Sequence, residues 1–529
     1  MRALLRAALE PTLAEPDPDH EPAGHDGGEK RCVDVGGAHA LKIGSAGSGA
    51  LGADADTACG RLPISTIGSV EPAAEIEPRA ARFTLVATIL GSSMVFIDST
   101  VVNVALPSIQ RDLGGGLAAQ QWVVDAYLLT LGSLILVGGS LGDIFGEVRI
   151  FALGVGCFGV ASVLCAAAPD VTTLIVFRGV QGIAGALLTP ASLAVITSTF
   201  AGHERGAAIG TWTAWSGIST VIGPLLGGWL IGISTWRVIF VLNVPIAVAT
   251  VVIVLTRLPR RAAGKTGVRV DLAGAALCAS GLGALVFGFI EQPRLGWSDP
   301  AVPGGLAAGG ACLVAFVLYE RGAQMPMLPL RLFARRNFSV TNLETLAVYG
   351  GLSAWSFFLT LCLQQLSGYS PFRAGLAALP VTIALFLLSR RVGRLSMRFG
   401  PRAFMAAGPL LAGASVLALT RLPARFDYWT ELLPPLIGFA LGLALIVAPL
   451  TTTVLDDAGP GDAGNASGVN NAVARVAGLV AIAAIGIAAA GGADRLTLHG
   501  FHRAMLIVAA LLAAGGVVGA TGIRNPARA

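Results

Sequence analysis

Two residues of opposite charge stand inside segments that otherwise read as soluble in lipid: Asp98 in FIDSTVVNVALP (96–107) and Arg178 in LIVFRGVQG (174–182). An ionisable side chain at membrane depth marks a proton, ion or substrate path by default. Asp98 lies about eight residues from the far end of its apolar run, roughly 12 Å deep. Arg178 lies about six residues from the matching end of its own run, roughly 9 Å deep. Gln181 follows Arg178 by three and shares its helix face. Desolvation disfavours a carboxylate and a nearby cation favours it. A helix movement that changes the Asp98–Arg178 separation therefore changes proton affinity. The chemistry on offer is reversible protonation of Asp98, modulated by Arg178; the structural alternative is a static buried pair joining two helices.

Other charges give less. Asp125, in WVVDAYLL, stands about four residues into its apolar run and serves either an outer proton pathway or a hydrated helix end. Glu344 and Arg475 each lie six or seven residues into their runs from the opposite side, roughly 10 Å deep. They are candidate second-half charges, with no spacing that makes them neighbours. The six histidines (His20, His25, His39, His203, His499, His502) fall outside the apolar runs, the last two in a short loop. The seven cysteines form no CxxC pair and no zinc-like spacing, so no metal site is expected. There is no GxxxxGK[ST] phosphate loop, which argues against direct ATP coupling. No cofactor is expected beyond the proton motive force, whose electrical part supplies about 2.3 kcal/mol per charge per 100 mV.

The elements that hold these residues follow from composition. Hydrophobic residues make up 54% of 529 and charged ones only 13%, against roughly 25% in a soluble domain. The apolar residues fall into about fourteen blocks of bilayer-crossing length: 83–106, 121–142, 150–168, 172–199, 207–230, 236–256, 271–291, 303–319, 338–363, 372–390, 403–420, 432–455, 468–490 and 503–523. This predicts an all-α polytopic membrane protein with both termini on one side. Arginines concentrate in alternate loops (Arg257, Arg260, Arg261 and Arg269; Arg321, Arg331, Arg335 and Arg336; Arg390, Arg391, Arg394, Arg398 and Arg402), which places the termini in the cytoplasm. The net charge of +5 thus belongs to particular loops and does not call for nucleic acid. Residues 1–78 are Gly-, Ala-, Pro- and acid-rich without apolar period and read as a disordered tail.

An internal repeat divides the rest. GSLGDIFGEVR and GRLSMRFGPR both fit G-x-L-x-x-x-F-G, through Gly139, Leu141, Phe145 and Gly146 and through Gly393, Leu395, Phe399 and Gly400. Their placement fits two parallel halves if the seventh and eighth blocks are inserted. The expected division is 79–262, a first six-helix bundle; 263–325, two inserted helices; and 326–529, a second six-helix bundle.

With these motifs in order, the chain resembles the fourteen-helix drug:proton antiporters of the major facilitator superfamily from about residue 83 to 523. FIDSTVVNVALP is similar to the first-helix signature, LIVFRGVQG to the fourth-helix arginine motif, GPLLGGWL to the fifth-helix antiporter motif and WRVIFVLNVP to a sixth-helix motif. GSLGDIFGEVR resembles the superfamily's gating loop, with Gly139, Asp143, Gly146 and Arg149 as its residues; Glu147 stands where the family has a basic residue. Gly223, Pro224, Gly227 and Gly228 offer close helix approach and a bend, and the resemblance implies that they seal the outward-closed path in exporters.

The function so implied is proton-coupled efflux, by alternating access, of lipophilic small molecules such as drugs or antibiotics, neutral or cationic. The setting is the plasma (inner) membrane of a bacterium, with protons, cargo and lipid as partners. The competing readings are an importer or uniporter of a polar metabolite and a non-transporting sensor or scaffold. Trp212, Trp215, Trp355 and Phe358 are candidates for an apolar cargo cavity or for lipid contact. Neither cargo nor protein partners are specified.

Overall fold

The computed structural model describes residues 78–258, 270–459, 462–490 and 495–525. The expected tail, except for Pro78, and the loop arginines Arg260, Arg261 and Arg269 lie outside the described residues. Among these, fourteen helices are long and apolar enough to cross a membrane. The first bundle holds α1 (Arg79–Leu113), α2 (Leu117–Phe145), α3 (Glu147–Ala166), α4 (Val171–Thr199), α5 (Glu204–Ile233) and α6 (Val238–Arg257). Next come α7 (Leu272–Leu295) and α8 (Ala301–Gly322). The second bundle holds α9 (Arg336–Leu366), α10 (Pro371–Phe399), α11 (Pro401–Arg421), α12 (Tyr428–Ala458), α13 (Gly464–Ala490) and α14 (Leu498–Gly522). Helices are the expected solution, because in lipid each backbone N–H and C=O must be satisfied within its own segment.

Several edges differ from the hydropathy blocks, two of them with consequences for named residues. Helix α1 continues through Pro107 to Leu113. Helix α14 starts at Leu498, so His499 and His502 lie in its first turns and not in a loop. The Thr497 hydroxyl caps that helix by accepting the Gly500 N–H at 3.0 Å, which lets the polar sequence LHG begin a spanning helix. His502 Nε2 lies 2.8 Å from the Leu422 carbonyl oxygen.

The G-x-L-x-x-x-F-G repeat has a common geometry. Gly146 (φ 93°) joins α2 to α3 and Gly400 (φ 87°) joins α10 to α11, each a one-residue joint. A left-handed residue lets one helix end and the next begin at once, and only glycine adopts it at little cost.

Within the first bundle α4 lies closely along α2 and α3, and α5 along α1. In the second, α9 packs on α13 and α14, and α11 on α12 and α14. Helices α7 and α8 pack on one another, with α7 also against α2 and α13. The two bundles meet along α2–α13 and α5–α10. On α10 the contact belongs mainly to the first piece, Pro371–Ala377, while the longer piece Leu379–Phe399 barely meets α5. The α5–α10 seam is therefore shut at the end opposite the arginine-rich α10–α11 turn.

Small residues allow the close approaches. A Cβ on Gly138 of α2 would run into the Ala186 carbonyl of α4, and one on Gly182 of α4 into Thr130 and the Tyr127 carbonyl of α2. Gly156 of α3 has no atom within 4 Å of that point. Overpacking costs about 1–3 kcal/mol. Gly138→Val is therefore expected to lower the thermal midpoint and the monodisperse yield in detergent several-fold, whereas Gly156→Val should match the parent in both.

Candidate functional site

Asp170 caps α4, its carboxylate accepting the Thr173 N–H at 2.9 Å and the Thr173 hydroxyl at 2.7 Å. These Thr173 bonds hold the Asp170 carboxyl below its ordinary range. The cap sets the start of α4 and so places Arg178 two turns into the bundle.

There the expected pair forms. Arg178 Nη1 donates to Asp98 Oδ2 at 2.6 Å, and both residues are buried, 1% and 0% exposed. Gln181 bridges them, its Oε1 accepting from Arg178 Nη1 at 2.6 Å while its Nε2 donates to Asp98 Oδ1 at 3.0 Å. Arg178 Nε donates to the Val123 carbonyl of α2 at 3.0 Å, and the guanidinium carbon lies 4.3 Å from the Tyr127 ring centroid. Asn243 of α6 donates to Asp98 Oδ1 and to Ser162 Oγ of α3, each at 3.3 Å. Gln181 Nε2 also reaches Ser162 Oγ, at 2.9 Å. Five helices thus contribute to one buried network around the Asp98–Arg178 pair. Buried charges are tolerated only when paired and hydrogen-bonded, and this network supplies both conditions.

Asn243 and Ser162 are not among the residues expected from the sequence. Asn243 is visible in WRVIFVLNVP as a polar amide in an apolar run; Ser162 carries no comparable signal.

Asp125 is wholly buried, and neither of its oxygens has a hydrogen-bond partner among the described residues. It is not a hydrated helix end, because α2 starts at Leu117 and carries it deeper than the apolar block implied. It shares a face with Gln121, one turn away, whose Nε2 donates to the Ile482 carbonyl of α13 at 2.6 Å. Asp125 thus faces the seam between bundles, while Val123 and Tyr127 face Arg178. Asn103 Oδ1 is also buried without a partner.

Glu344 and Arg475 are not brought together. Both Glu344 oxygens are buried without hydrogen-bond partners among the described residues, beside Gly519 of α14 and the Met405 carbonyl of α11. Arg475 of α13 packs over Gly132 of α2. In the α2–α3 turn, Gly139 lies beside Pro190, Asp143 and Arg149 are exposed, and Gly146 forms the joint described above.

The GPLLGG segment divides its tasks. Gly223 and Gly227 lie against α1, where a Cβ would strike Thr100 and Val101. Gly228 lies against the other bundle, with Pro371 O and Phe372 Cα each 2.7 Å from its Cβ point, and Gly375 lies against the Pro224 carbonyl at 2.6 Å. A glutamine clasp closes the same end. Gln365 Nε2 donates to Gln110 Oε1 at 3.1 Å and Gln120 Oε1 at 3.3 Å, and Gln364 Nε2 to the Val104 carbonyl at 3.0 Å. Both glutamines sit on a π-helical turn, Cys362–Leu366, ending α9.

Of the proposed cavity aromatics, Trp355 is buried and stacked on Phe439 with centroids 4.1 Å apart, and Phe358 is buried against Phe357, so neither faces lipid. Trp212 donates to Ser92 Oγ at 2.9 Å, and Trp215 is half-buried.

Removing one partner of a buried ion pair costs about 3–5 kcal/mol, while replacing both by apolar groups is often neutral. Arg178→Met alone should sharply lower the thermal midpoint in detergent, and Asp98→Leu/Arg178→Met should lower it less. A double mutant no more stable than the single would mean that an unpaired Asp98 is not what destabilises Arg178→Met.

Comparison with known proteins agrees with this architecture. Residues 88–482 match the sequence profile of the Major Facilitator Superfamily. The chain is 38% identical over 450 residues to the puromycin resistance protein pur8 of Streptomyces alboniger, covering 83% of this chain and 88% of that one. It is 35% identical over 409 residues to the tetracenomycin C resistance and export protein of Streptomyces glaucescens (76% and 75%). It is 34% identical over 412 residues to the multidrug resistance protein Stp of Mycobacterium tuberculosis (77% and 76%). Among solved structures, a bacterial homologue of the human lysosomal transporter Spinster, inward-facing and unoccupied, superposes with a TM-score of 0.59 at 17% identity, over 84% of this chain and 97% of that one. A peptide transporter of the POT type in complex with sulfate gives 0.61 at 14% (83% and 93%). Fold, motifs and relatives agree: the chain belongs to the major facilitator superfamily, in its fourteen-helix drug-exporter branch.

Proposed function

We propose that this protein is a proton-coupled antiporter that expels lipophilic small molecules, neutral or cationic, across the bacterial plasma membrane. The observation that carries the reading is the sealed Asp98–Arg178–Gln181 cluster. A carboxylate held by one guanidinium and two amides is stable only while those donors stay in place. Helices α1, α4 and α6 each supply part of the cluster, and α1 also carries the close contact with α5. When the α5–α10 seam opens, α1 moves with α5, and the donors around Asp98 must rearrange. Protonation of Asp98 from the outer side would then hold the opened state, and proton release on the inner side would restore the pair. Asp125, facing α13, is the second acid in this path. Glu344 and Arg475 play no assigned part.

Orientation follows from the arginine-rich loops, which put both termini and the α10–α11 turn in the cytoplasm. The seam closed by Gly228, Gly375 and the glutamine clasp is then the outer one, which makes the arrangement described inward-open. Export as the direction of transport is supported by the glycines of GPLLGG at that seam and by the resistance and export functions named for the relatives. Puromycin and tetracenomycin C are therefore the first cargoes to test.

The decisive measurement uses inside-out vesicles. An imposed pH gradient, acid inside, should drive puromycin or tetracenomycin C inward. Asp98→Asn should reduce that accumulation at least ten-fold while leaving gradient-free exchange of labelled cargo within a few-fold of the parent. Undiminished pH-driven accumulation by Asp98→Asn would remove Asp98 as the proton carrier.

A further inference from the structure

Away from the seam, the foot of the α7–α8 pair holds two carboxyl groups that face each other with no cation between them among the described residues. Asp271 caps α7, its Oδ1 accepting the Gly274 N–H at 2.8 Å. Glu320, near the end of α8 and only 2% exposed, accepts the Leu328 N–H on Oε2 at 3.0 Å. Leu328 belongs to the connection leading into α9. The other two oxygens, Asp271 Oδ2 and Glu320 Oε1, are buried and no hydrogen bond of normal geometry reaches them among the described residues, although the Tyr319 hydroxyl lies beside Asp271. Both point at one spot: a Cβ on Gly274 would meet Glu320 Oε1 at 2.6 Å and Asp271 Oδ2 at 2.7 Å. The two carboxyl groups therefore share one small space beside Gly274.

Among the described residues, the groups around them offer no counter-charge. From α7 the titratable neighbour is Cys278, from α8 it is Tyr319, and from the connection there are the Met327 and Leu328 amides. Arg321 is exposed, and Arg331 is engaged with Asp462 at 2.6 Å. Two ionised carboxylates at such a distance in a buried site repel strongly, and the usual resolution is a single shared proton.

We propose that Asp271 and Glu320 form a proton-binding site, separate from the transport path, in which one shared proton bridges Asp271 Oδ2 and Glu320 Oε1. The bridge fastens α7 to α8. Because the other Glu320 oxygen holds Leu328, it also fastens the inserted pair to the segment that starts the second bundle. The site needs nothing from Asp98 and stands whether or not transport is proton-driven. Its sign is fixed by linkage. The folded protein holds this proton more tightly than the unfolded chain, so the site's stabilisation is full at acid pH and is lost as pH rises past the folded-state affinity.

The test is the thermal midpoint of the full chain in lipid nanodiscs between pH 6 and 10, with EDTA present. Glu320→Gln places a permanent N–H donor where the proton sits, so its curve should lie near the parent at pH 6 and several degrees above it at pH 9 to 10. Asp271→Asn, which keeps an oxygen for the Gly274 cap, should show the same divergence and serves if the first variant does not accumulate. Cargo efflux should be retained in both. Curves that run parallel across the whole pH range would overturn the proposal. So would recovery of the parent at pH 9 by millimolar Mg²⁺ or Ca²⁺, with EDTA omitted, because that result assigns the gap to a cation.

Discussion

One carboxylate in a medium that will not solvate it organises the first bundle. Taking Asp98 and Arg178 out of water costs several kcal/mol per ion, and their attraction offsets this only if every remaining valence is met. Helix by helix, the bundle responds: Gln181, one turn on from Arg178, and Asn243 from α6 donate to Asp98, the Val123 carbonyl from α2 accepts from Arg178, and Ser162 from α3 accepts from the two amides. Tyr127 covers the guanidinium face. Such a network is intolerant of partial change, because each lost donor leaves a buried charge short of a partner. That intolerance favours discrete arrangements over a continuum.

The helices can serve this cluster only if they come close enough, and glycine decides where they do. Helix α5 illustrates the arrangement. Three residues of one short motif set two interfaces, Gly223 and Gly227 against α1 and Gly228 against α10. The first interface lies inside a bundle and the second between bundles, so a single helix links the charge cluster to the α5–α10 seam. The α2–α4 contact uses the same device at Gly138 and Gly182, and brings Val123 and Tyr127 onto Arg178.

Much of this architecture is legible in the sequence. The number of spans follows from apolar block length, and the Asp98–Arg178–Gln181 set follows from charge at depth and an i,i+3 spacing. The paired joints at Gly146 and Gly400 are visible as a repeated motif, although their shared left-handed geometry is not. Where the sequence falls short, the cause is geometric. Asp125 looks hydrated because hydropathy starts its span late, whereas the polar start of α2, LAAQQ, is helical. Glu344 and Arg475 lie at equal depth, but depth does not fix azimuth: one faces α14, the other α2. Asp271 and Glu320 draw no notice because each stands at a helix end, where acids are commonly solvated.

The glutamine clasp has a consequence of its own. Gln110, Gln120, Gln364 and Gln365 hold the two bundles together without a single formal charge. A gate built on exposed ion pairs weakens as electrolyte rises, because mobile ions screen them. A latch of neutral amides has no such dependence, so its strength is indifferent to brine, to acidification and to the headgroup charge of the surrounding lipid. Amide bonds of this kind are individually weak, so the latch can still part under a small load. The contact of α9 with α1 and α2 at this end of the molecule therefore keeps its strength while the ionic medium around it changes.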